Sequence, residues 1–79
     1  MNPTPAAVEA LVERVKPLFD GHPPEVQGAA LADLLAIWLV GHGVEGKPKM
    51  TDNLRKALLA MHVDSVRDLM KINERKAAS

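Results

Sequence analysis

The run VQGAALADLLAIWLV, residues 26–40, contains only two polar side chains, Gln27 and Asp33. A helix that is apolar nearly all the way round must be enclosed by other protein on most sides. With fewer than 18 residues and an acid at its middle, it is too short and too interrupted to span a bilayer. The sequence therefore predicts an all-α fold, a three-helix antiparallel bundle with this nearly all-apolar helix at its centre. Leu34, Leu35 and Trp38 are expected in the core or at an interface. This feature constrains the fold closely and the activity hardly at all.

Seventy-nine residues make one small helical domain, 1–79, near the lower limit at which a core sustains itself. The chain has no cysteine, which excludes disulfides, thiolate metal sites and thiol chemistry. Phe19 and Trp38 are its only aromatic residues. Scarcity of aromatic and β-branched runs favours helices over sheet.

The first helix is expected at 5–19, with Thr4 as N-cap and Pro5 at the first helical position. Val8, Leu11, Val12, Val15, Leu18 and Phe19 recur at helical spacing and define its apolar face. Pro17 lies on the opposite side, where it bends a helix rather than stopping it. Pro23 pushes His22 out of helical geometry, and Pro24 begins a second helix over 24–40 that stops at Gly41. Gly28, Ala32 and Ala36, spaced four apart, make a flat stripe on that helix. A loop over 41–50 follows. A third helix over 52–72 then begins at a Thr51 or Asp52 cap, and residues 74–79 are expected to fray.

Acids and bases balance at ten each, so no global field calls for a nucleic acid or an anionic membrane. The charge is nevertheless segregated. Residues 1–44 carry two bases against five acids, a net of −3, and residues 45–79 carry eight against five, a net of +3. Complementarity between helices, within or between chains, is the simplest use of such a pattern. The N-terminal sequence MNPTPAAVEA has neither a basic stretch nor an apolar run of the signal-peptide kind, and a cytoplasmic protein is expected.

No enzymatic chemistry emerges from the motifs, and no catalytic residue, cofactor or metal site is expected. His22 and His42 flank the second helix about 27 Å or more apart, too far to share an ion, and no HExxH or acid cluster is present. His62 projects from the apolar arc of the third helix, and Asp33 is its counterpart on the second. Each needs a partner if it is buried, either the other residue or, for Asp33, an arginine or lysine. The string Val63-Asp64-Ser65-Val66 is similar to the Asp-Ser-Leu attachment site of acyl carrier proteins only in its Asp-Ser pair. In that family the serine begins the second helix of a strongly acidic domain. Here Ser65 lies deep in the last helix of a neutral chain, which removes the grounds for a pantetheine site.

Association is the strongest functional expectation. Two neighbouring helices leave part of an all-round apolar helix uncovered. The surplus, along the Gly28, Ala32 and Ala36 stripe or a ridge of Leu59, Val63 and Met70, suits a protein partner or a homodimer. The chain thus reads as a small interaction or self-associating module. The alternative is a nucleic-acid-associated regulator using the weakly basic C-terminal half. Against it, Asp52, Asp64 and Asp68 interrupt the basic residues and no aromatic stacking partners accompany them.

Overall fold

A computed structural model describes residues 4–78. They form three helices: α1 (Pro5–Phe19), α2 (Pro24–Val40) and α3 (Pro48–Ala78). No strand occurs among the described residues. The all-α expectation holds, and α1 and α2 keep the expected bounds.

Local chemistry explains these ends. The Thr4 hydroxyl accepts a hydrogen bond from Ala7 N–H at 3.2 Å, with Pro5 in the first helical position. Pro17 sits inside α1, and the helix continues past it to Phe19. Gly21 then takes a left-handed φ of +83°, and the Gln27 amide nitrogen donates to the Phe19 carbonyl at 2.7 Å. That bond caps the end of α1 from the side of α2.

α3 departs from expectation at both ends. It starts at Pro48, so the connection shortens from the expected 41–50 to 41–47. Proline lacks the N–H that the first turn leaves unpaired, and its fixed φ suits that position. The first α3 backbone bond runs from Thr51 N–H to the Lys47 carbonyl at 2.9 Å. Thr51 therefore lies inside the helix and is not its cap. At the other end α3 continues to Ala78, where fraying from 74 was expected. Glu74, Arg75, Lys76, Ala77 and Ala78 are good helix formers, and Arg75 and Lys76 sit favourably at the negative end of the helix dipole.

The chain divides into two compact units, residues 1–33 and 34–79. No charged side chain lies between residues 34 and 44, so the division coincides with the charge segregation. The first unit carries −3 and the second +3. No described residue in either unit is buried. Within the first unit Val15, Phe19, Gln27 and Ala30 reach half-burial. Within the second, Leu35, Leu39, His42, Val44, Thr51, Leu54, Arg55, Leu58 and His62 do so. Of the three residues expected in a core or interface, Leu34 is 56% exposed, Trp38 43% exposed, and only Leu35 is half-buried. Apolar side chains emerge on every side of α2, and no described residue of the chain gives them full cover.

Candidate functional site: an aromatic clasp and two uncovered apolar surfaces

The second unit is fastened where α3 meets the end of α2. The last turn of α2 has no basic residue of its own to satisfy its terminal carbonyls. Arg55, on the second turn of α3, supplies one. Its Nε donates to the His42 carbonyl and its Nη2 to the Val40 carbonyl, each at 2.9 Å. Thr51 adds a reciprocal pair with Val44. Its hydroxyl accepts from Val44 N–H at 2.9 Å and donates to Val44 C=O at 3.1 Å. A side chain at Gly43 would press on Thr51, since an added Cβ would lie 3.1 Å from its methyl carbon. Close approach, not left-handed geometry, favours glycine there.

Trp38 is held between two histidines. Its ring centroid lies 4.3 Å from that of His42 and 4.7 Å from that of His62, the latter pair edge-to-face at 83°. His42 Nδ1 lies 2.7 Å from the Trp38 carbonyl. A carbonyl can only accept, so the proton of this bond belongs to Nδ1. The partner of His62 is therefore the ring of Trp38, which its position on the apolar arc of α3 did not reveal.

Of the two polar residues singled out on the apolar helices, His62 is half-buried and Asp33 exposed. Asp33 has no hydrogen-bond or ion-pair partner among the described residues. On an exposed helix surface water solvates the carboxylate, so none is needed. The small-residue stripe lies in the open as well. Gly28, Ala32 and Ala36 are exposed, and nothing approaches within 4 Å of where a Gly28 side chain would begin. Leu59, Val63 and Met70 stand exposed on α3.

Two uncovered apolar surfaces result. In the first unit, Leu11, Val12, Val15, Phe19 and Leu31, together with the charged Glu13, Lys16 and Asp20, line a groove of about 790 Å³. Lys16 pairs with Glu13 at 3.0 Å. In the second unit, half-buried side chains among the described residues of α3 end at His62. Every described residue from 63 to 78 is exposed, including Val63, Val66, Leu69, Met70 and Ile72.

The remaining polar features offer little chemistry. Lys56 bonds Asp52 at 2.9 Å, and this hydrogen bond and the carboxylate's charge hold its ammonium pKa above the usual lysine value. Arg67 lies 3.9 Å from Asp64. No group of three or more histidine, aspartate or glutamate residues able to hold a metal occurs among the described residues. No helix among them is long and apolar enough to cross a membrane. Compared with known proteins, the chain matches no family model, no curated protein and no solved structure.

Proposed function

We propose that this protein is a self-associating helical module whose core is completed only when chains assemble. The observation that carries this reading is the absence of any buried residue among the described ones. Eighteen large apolar side chains remain at least 41% exposed. Helices of 15 and 17 residues are marginal in water on their own, and most helical stability comes from packing an apolar face. Full burial of one such side chain contributes roughly 1.5–3 kcal/mol. A chain that leaves so many uncovered therefore has a large driving force for association.

In this reading the antiparallel bundle around α2 is the assembled state, with its missing walls supplied by partner helices. A homodimer in the cytoplasm is the simplest form, because a two-fold contact hides the same surface on both copies. The reading assigns no catalytic role and no cofactor. Binding of nucleic acid by the basic half has less support, because Arg55 is committed to the α2 carbonyls and Lys56 and Arg67 each lie beside an aspartate.

Sedimentation equilibrium combined with circular dichroism tests the proposal. The mass is expected to exceed 8.5 kDa at tens of micromolar, with helicity and melting temperature falling on dilution. A mass of 8.5 kDa up to about millimolar concentration, with a melting temperature independent of concentration, would overturn it.

A further inference from the structure

We propose that the groove of the first unit, between α1 and the first half of α2, receives residues 63–78 of α3 from a second copy of the chain. This rests on the self-association reading and names the surfaces that meet.

Dimensions support the match. On the α1 side the groove is lined by residues 11–20, about 15 Å of helix, and the apolar ridge from Val63 to Met70 spans about 12 Å. An amphipathic helix laid in an apolar groove is a recurrent recognition mode, read as anchors three and four residues apart. Val63, Val66 and Met70 have that spacing, and Leu69 widens the ridge on one side. Both surfaces stand open in the single chain: Leu11 in the groove is 61% exposed and Met70 on the ridge 56%.

Charge selects the pairing. Two copies of the first unit would meet at −3 against −3, and two copies of the second at +3 against +3. Only first unit against second brings opposite charges together. In a two-fold dimer that contact occurs twice, which closes the assembly and leaves neither groove nor ridge over. At the contact itself Glu13, Lys16 and Asp20 line the groove, a net of −1, while residues 63–78 carry four bases against three acids, a net of +1. Charge complementarity of this kind fixes partner and register more than it adds affinity.

The absence of native cysteine makes disulfide trapping clean. Leu31→Cys in the groove is mixed with Val66→Cys or Met70→Cys on the ridge, and the products of mild oxidation are counted. All three positions are exposed, so the folded chain tolerates the changes. Random collision makes the mixed disulfide about half of the product. The proposal expects it to be several-fold in excess of either like-with-like disulfide with at least one of the ridge variants. Predominance of ridge-to-ridge disulfides, with a mass above 8.5 kDa, would overturn the groove assignment while leaving self-association standing. A chain carrying both cysteines that closes on itself at low concentration would show that the occupant is the same chain. A mass of 8.5 kDa at every concentration, with no interchain disulfide, would overturn both readings.

Discussion

Arg55 does more for the second unit than its position on the surface of a helix suggests. Its two bonds satisfy carbonyls at the end of α2 that would otherwise rely on water. Hydrogen bonds from a charged donor contribute about 1.5–3 kcal/mol each. At a partly exposed site the Arg55→Ala substitution is expected to cost about 1–3 kcal/mol in urea unfolding. Arg55→Lys should recover only part of this, because an ammonium lacks the fork that spans two carbonyls. The sequence marks Arg55 only as one base of the weakly basic C-terminal half, since the carbonyls it serves lie 13 and 15 residues away. Its one advance signal is that α2 ends with no basic residue in its last turn. His62 shows the same limit: an unusual side chain is legible from helical spacing, but its partner Trp38 depends on how α3 lies against the end of α2.

The pH sign is settled at Lys56. Asp52 favours the charged ammonium, so the folded pKa lies above the unfolded one. The pair's contribution is therefore present below the usual lysine range and is lost as pH rises through the folded value, in alkaline solution. Both side chains are well exposed, so the expected signal is spectroscopic rather than a large stability change. In an NMR titration Lys56 Nζ should deprotonate at a higher pH than in the Asp52→Asn variant. Coincident titration curves would remove the interaction.

Among the elements, α1 and α2 were legible because each announces itself with a proline at its first position and an identifiable stop. The same cue at Pro48 marks the start of α3, but the lysines and glycines around it read as loop. Thr51 competed as a cap because threonine favours that role. In the structure its hydroxyl turns back to Val44 instead. The extent of α3 has a dynamic consequence. Residues 48–62 are fastened by Thr51, Arg55 and His62, whereas 63–78 make a helix whose apolar side chains are exposed. Without a partner, sixteen residues are marginal as a helix. Amide hydrogen exchange is therefore expected to show 63–78 protected at high protein concentration and nearly unprotected on dilution. Residues 48–62 should change much less. Equal protection of both halves at every concentration would mean that α3 needs no partner.

For the whole molecule, the pattern of residues 26–40 identified an apolar helix needing cover, but periodicity cannot say whether that cover comes from the same chain or another. Leu34 separates the two cases. In the single chain it is 56% exposed, so Leu34→Ala removes little buried surface and should cost under about 1 kcal/mol. In an assembly that closes over α2, the same truncation empties part of a packed interface and should cost about 2–4 kcal/mol. The cost of the substitution is therefore expected to depend on concentration. The gap between the denaturant midpoints of wild type and Leu34→Ala should be narrow in dilute protein and widen as chains associate. Lys56→Ala serves as a control, since its exposed pair contributes little in either state. A narrow gap at every concentration would place Leu34 outside the interface. A wide gap already present in the monomer would mean that the chain covers α2 by itself.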